Sequence, residues 1–237
     1  PSGMFIVIVG AVNAEQAIET IRIQFEDWAN PDQPEAPALP DLPALSENRR
    51  SVVNLPGKTQ SDLVMGVPGP SRFAPDYQAA VLANSILGQF GMMGRIGASV
   101  REELGLAYYA YSQVDGGFGP GPWSVTAGVN PANLDLAIGR ITDELRRLTS
   151  EAVSDEDLAD NQAFYSGRLP LQLESNEGIA SVLLNIETYQ LGLDYLLNYR
   201  DVIYSLTKDD LMAAAQRYLS PDALVIGIAG PERKAGG

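Results

Sequence analysis

Residues 69–111 read GPSRFAPDYQAAVLANSILGQFGMMGRIGASVREELGLAYYAY. Pro75 suits the first turn of a helix, where an N–H would be unbonded anyway. A helix is then expected to run through Tyr77, Val81, Leu82 and Ile86. Gly88, Gly91 and Gly94 interrupt that pattern and predict a glycine-rich turn. Ile96, Val100 and Leu104 restart a helix, and AYYAYSQV at 107–114 predicts a strand.

Working outward, WSVTAGV at 123–129 alternates Trp123, Val125, Ala127 and Val129 on one face and predicts the partner of that strand. A turn holding Gly116, Gly117, Gly119 and Gly121 joins the two. On the N-terminal side, SVVNLP at 51–56 and DLVMGV at 62–67 predict strands about a turn containing Gly57. On the C-terminal side the chain is mostly helical. Asn130 and Pro131 open a helix striped by Leu134, Ile138, Ile141, Leu145 and Leu148. Ser154 with Asp157, and Thr207 with Asp210, have capping-box spacing at two further helix starts. Between them lies a helix through Ile179, Leu183, Ile186 and Tyr189. Pro221 stops the last helix, and ALVIGI at 223–228 predicts a closing strand. Two strand clusters separated by helices predict an α+β fold: a mostly antiparallel sheet with helices packed on one face.

Ahead of this domain, MFIVIV at 4–9 predicts a strand apolar on both faces, and Asn13 caps a helix through Ile18, Ile21, Phe25 and Trp28. One strand and one helix are too small to stand alone, so this pair requires another surface. A chain that opens on such a run is expected to be cut from something longer. Prolines at 31, 34, 37, 40 and 43 favour polyproline II. At about 3.1 Å per residue that run reaches about 40 Å, a spacer rather than a ligand for a proline-binding module. The expected organisation is therefore 1–30 strand and helix, 31–47 linker, and 48–237 main domain.

Composition restricts the chemistry. The net charge of −14 disfavours a phosphate backbone or an anionic membrane as partner. No apolar stretch approaches the roughly 20 residues that span a bilayer. There is no cysteine, hence no disulfide framework. There is no histidine either, which excludes Ser/His and Cys/His nucleophilic mechanisms and an HxxEH zinc motif. The glycines at 88, 91 and 94 fit neither a phosphate loop nor a dinucleotide fingerprint. Asp155, Asp157 and Asp160 lack the glycine of an EF-hand loop and suit a helix start.

The stretch 69–111, followed by GVNPANLDLAI at 128–138, LPLQLESNEGIASVL at 169–183 and YLSPDALVIGIAGP at 218–231, resembles the C-terminal half-domain of the insulinase/pitrilysin zinc peptidases, relatives of mitochondrial processing peptidase. The resemblance implies two similar halves closing like a clamshell on an unfolded peptide. One half carries zinc through HxxEH. The other supplies an arginine and a tyrosine whose RxxxxxxY spacing falls here on Arg101 and Tyr108. It also implies that 1–30 closes the preceding half, that 31–47 is the hinge, and that the turn at Gly88, Gly91 and Gly94 touches the peptide. The partners so implied are a zinc-bearing half-domain or subunit and an extended peptide, with zinc held by that other half and none by this chain. Read without the resemblance, Arg101 beside Glu102 and Glu103 is a surface cation, Tyr108 is strand packing, and the glycines serve a tight connection. Two other roles stay open: a zinc-free scaffold subunit of the same fold, and a free-standing binder of unfolded peptides. A second copy of the chain, in a homodimer, is one way to cover residues 4–9.

Overall fold

The structure is a computed structural model. It describes residues 3–40, 42–43, 45–89, 94–102 and 105–231, without the side chains of Gln89, Arg101 and Glu102. In chain order the regular elements are α1 (Ala14–Phe25), β1 (Arg49–Asn54), β2 (Ser61–Pro68), α2 (Tyr77–Asn84), β3 (Ala107–Val114), β4 (Pro122–Val129), α3 (Leu134–Ser150), α4 (Asp155–Gln172), α5 (Asn176–Thr188), α6 (Asp194–Ser205), α7 (Lys208–Tyr218) and β5 (Val225–Gly230). They form two compact units. One comprises Pro1–Pro40 with Phe164–Val202, and the other Asp41–Ala163 with Ile203–Gly237.

The larger unit holds one five-stranded sheet in the order β1-β5-β2-β4-β3. β2, β4, β3 and β5 pair antiparallel, while β1 runs parallel to β5. Period-two patterning sorts the sheet faces. Leu63, Met65 and Val67 of β2, Trp123, Val125, Ala127 and Val129 of β4, and Ile226 and Ile228 of β5 are buried. Against them lie the apolar faces of α2 (Ala79, Ala80, Leu82), α3 (Leu134, Ile141, Leu145) and α7 (Leu211, Ala214, Ala215). The expected α+β arrangement, a mostly antiparallel sheet with helices on one face, is the fold observed. Burial of these side chains, worth about 1.5–3 kcal/mol each for the large ones, holds the layers together.

Local signals set the helix ends. Thr207 and Asp210 form the reciprocal capping box at the start of α7, and the Ser154 hydroxyl accepts from the Asp157 N–H at 2.9 Å. The helices flanking the glycine-rich segment differ from expectation. α2 stops at Asn84 and continues as a π-helical turn from Ser85 that breaks at Gly88, whose backbone is not helical. A second π-helical turn spans Gly97–Glu102, in place of the α-helix predicted through Leu104.

In the smaller unit, α1 is capped by Asn13, whose side chain accepts from the Gln16 N–H at 3.0 Å. None of its residues is buried. Residues 4–9 pair with no strand among the described residues, and Met4, Phe5, Ile6 and Ile8 are exposed. The buried strand predicted there is not formed within this chain, because a strand requires a backbone partner and no described segment supplies one. Ile6, Ile8 and Val12 with Ala17, Ile18 and Ile21 of α1 line an open apolar groove of about 350 Å³. α6 has no counterpart in the sequence reading; only Ile203 of it is buried, so it lacks a clear apolar stripe. No helix among the described residues is long and apolar enough to cross a membrane.

Candidate functional site

On the sheet face opposite the helices Asp62, Val64, Tyr109, Tyr111 and Val225 are exposed, and the register fixes what stands there. Three rows cross it from β1 to β3. They are Val53–Ala229–Asp62–Gly128–Tyr109, Ser51–Gly227–Val64–Thr126–Tyr111, and Arg49–Val225–Gly66–Ser124–Gln113. The second and third rows leave a shallow apolar groove of about 420 Å³, bounded by Val64, Gly66, Val225, Gly227 and Pro122, with Leu42 at its rim.

In the first row, Tyr109 reaches from β3 across β4 to β2. Its hydroxyl donates to Asp62 Oδ1 at 3.0 Å. Gln60 Nε2 donates to the same oxygen, also at 3.0 Å. Both side chains lie over Gly128, where an added Cβ would collide with each. Burial, then the bond to Asp62, raise the Tyr109 pKa. Tyr111 stands beside it, with ring centroids 6.2 Å apart.

Tyr108 sits elsewhere. The β3–β4 register slips between Ala107 and Tyr109, so Tyr108 is the extra residue of a bulge. Such an insertion re-aims a side chain out of the ladder. At 70 % exposure, Tyr108 is the most open of the three tyrosines. The Arg101 backbone lies in the π-helical turn Gly97–Glu102, and its side chain is outside the described residues. That turn is tied to β3 by the Leu106 N–H, which donates to Val100 O at 2.9 Å. Gly105 makes the intervening corner with φ of +59°, a region that favours glycine.

The glycine-rich segment is closed at its base. Gly88 and Gly94 meet backbone to backbone, and a Cβ on Gly94 would stand 2.8 Å from Gly88 N and closer still to its Cα. The structure therefore brings these two predicted residues together. Gly91 lies outside the described residues. Beneath the closure is a buried polar knot. Trp123 Nε1 donates to Asn84 Oδ1 at 3.0 Å. Asn84 Nδ2 donates to Ser112 O at 3.3 Å. Ser112 Oγ donates to Asn84 O at 3.2 Å. It pins the end of α2 to β3, the strand that carries the tyrosines.

Asp62, Gln60, Gly128 and Asn84 escaped the sequence reading. Their roles come from register across three strands, which no local window contains.

A family model described as the peptidase M16 inactive domain matches residues 1–164. The chain belongs to the peptidase M16 inactive-domain family. An uncharacterized zinc protease of Streptomyces coelicolor is 28% identical over 96% of this chain and 50% of that protein. The crystal structure of a peptidase M16 inactive domain from Pseudomonas fluorescens matches with a TM-score of 0.79 and 27% identity, covering 93% of this chain and 52% of that one. A protease from Helicobacter pylori, at 21% identity and a TM-score of 0.81 over 94% of this chain and 54% of its own, shares the fold. The chain spans half or less of the length of the curated relatives it matches.

A zinc centre needs clustered histidine, cysteine or carboxylate ligands. This M16 inactive domain has no histidine or cysteine. Its described residues bring together no group of three or more acidic side chains able to hold an ion. The described residues do not fit a zinc centre.

Proposed function

We propose that this chain is the substrate-binding, zinc-free half of a zinc metalloendopeptidase. It grips an extended peptide and presents Arg101 and Tyr108 to the cleft of a zinc-bearing partner half. The observation that carries this reading is the bulge in β3, which holds the Tyr108 side chain out of the ladder at 70 % exposure. Membership of the M16 inactive-domain family and the zinc-protease descriptions of relatives about twice as long support it.

In this reading the carbonyl oxygen of the scissile amide gains negative charge as water adds. The Tyr108 hydroxyl donates a hydrogen bond to that oxygen and keeps its own proton. The Arg101 guanidinium, a planar fork of donors, holds a neighbouring carbonyl or carboxylate of the peptide and fixes its orientation. The partner half supplies zinc and the activated water. Gly88, Gly91 and Gly94 border the path of the peptide. Residues 1–30 belong with the preceding half, whose sheet covers the exposed run 4–9, and residues 31–47 form the hinge before the domain at 48–237.

The test is reconstitution. The chain is combined with the HxxEH-bearing half encoded beside or upstream of it, and cleavage of an unfolded reporter peptide is followed. Tyr108→Phe is expected to lower kcat roughly 100-fold, the usual size of a lost oxyanion donor. Arg101→Ala is expected to lower kcat/KM. Wild-type rates in both variants would remove these roles. The absence of any HxxEH half would leave the chain a scaffold.

A further inference from the structure

The three rows of the open sheet face carry one acid, Asp62, and one base, Arg49. Their register places them four residues along and two strands across from each other. Strand geometry then separates them by roughly 16 Å, beyond the ~8 Å screening length of physiological salt. Lys58, in the turn before β2, makes no ion pair with Asp62, and no other cation among the described residues does so. Among the described residues, both hydrogen bonds to Asp62, from Gln60 and Tyr109, go to Oδ1. Its negative charge is held in place by two neutral donors, and Oδ2 accepts from neither. Tyr109 and Tyr111, half-exposed at 38 % and 37 %, form a tilted ring pair, of which Tyr109 bonds Asp62. Gly128, with no side chain of its own, lets the Tyr109 ring cross the middle strand.

We infer that Asp62, Tyr109 and Tyr111 form a subsite for one cationic side chain, lysine or arginine, of an extended peptide lying on the open sheet face. This rests on the peptide-gripping reading above and adds a charge specificity to it. The carboxylate supplies a charge-assisted hydrogen bond. The ring faces favour a cation over an apolar chain of the same length. The aliphatic stem of lysine or arginine lies over Val64, leaving the charged end at Asp62.

The experiment titrates the 237-residue chain with fluorescent extended peptides and reads anisotropy at low and physiological salt. The peptides are identical except for one position carrying lysine, arginine or uncharged norleucine. The wild-type chain is expected to bind the lysine and arginine peptides about five- to tenfold more tightly than the norleucine peptide, as befits an exposed ion pair reinforced by ring faces. Asp62→Asn, which keeps an acceptor for Gln60 and Tyr109, is expected to abolish that preference. Asp209→Asn, on α7 behind the sheet, removes the same unit of charge and is expected to preserve it. Equal binding of all peptides by the wild type would overturn the subsite and leave peptide gripping intact. A preference that survives Asp62→Asn belongs to the net charge of −14 and also overturns the subsite. No binding of any peptide, by the chain alone or with the zinc-bearing half added, overturns both readings.

Discussion

The Tyr109 hydroxyl donates to Asp62 Oδ1 at 3.0 Å although the two residues belong to strands separated by β4. The contact exists because the residue between them is Gly128. Gly128→Ala places a methyl group where Tyr109 and Gln60 now lie. Both are ends of movable side chains, so the sheet is expected to survive while the Asp62 bonds are lost, at a cost of about 1 kcal/mol. Tyrosine titration by NMR checks this: the raised Tyr109 pKa falls back toward its ordinary value in the variant.

Gly94→Ala meets backbone instead. The new Cβ stands 2.8 Å from Gly88 N and 3.1 Å from Leu87 O, and neither can swing aside. The base of the glycine-rich segment must open, at about 1–3 kcal/mol. Urea unfolding gives the loss, and faster amide exchange at Ile86 and Leu87 locates it.

Asn84 satisfies the buried indole N–H of Trp123. Asn84→Leu leaves that donor unpaired in the core and is expected to cost about 1–3 kcal/mol. Combining it with Trp123→Phe removes the orphan as well as its partner. The double variant is then less destabilised than the sum of the singles, which a double-mutant cycle of urea midpoints measures directly.

Tyr218 supplies a pH dependence. Burial, followed by the 2.7 Å bond to Asp76, pushes its pKa up from 10.0 to about 12. Between these values the folded state keeps a proton that the unfolded chain has released. The Tyr218 contribution to stability is therefore complete below pH 10 and declines as pH rises to about 12. Tyr218→Phe is expected to destabilise the chain at pH 8 and to lose part of the alkaline decline. Urea midpoints of both proteins at pH 8 and pH 11 decide it.

Much of the fold was legible locally. The capping box at Thr207 and Asp210, the alternation in β4 and the stripe of α3 are short-range patterns, and each formed, with Ile138 of the stripe only half-buried. The open site was less legible. Alternation alone separates Tyr108 from Tyr109 by face, but the bulge that frees Tyr108 depends on how β3 meets β4. The run 4–9 shows the opposite failure. Its composition asks for a sheet, yet composition cannot provide the neighbouring strand.

By itself the sequence determined that this chain brings neither imidazole nor thiolate to a metal, that glycines break the helix after Leu87, and that the Gly69–Tyr111 stretch carries the family pattern. Tertiary structure alone decided that β1 lies parallel to a strand 176 residues further on, and that Asp62, Gly128 and Tyr109 stand in one row. Residue types and their spacing act within a few positions along the chain. Strand order and register are set by which apolar faces the whole sheet can bury at once, and that choice is made only when distant segments meet.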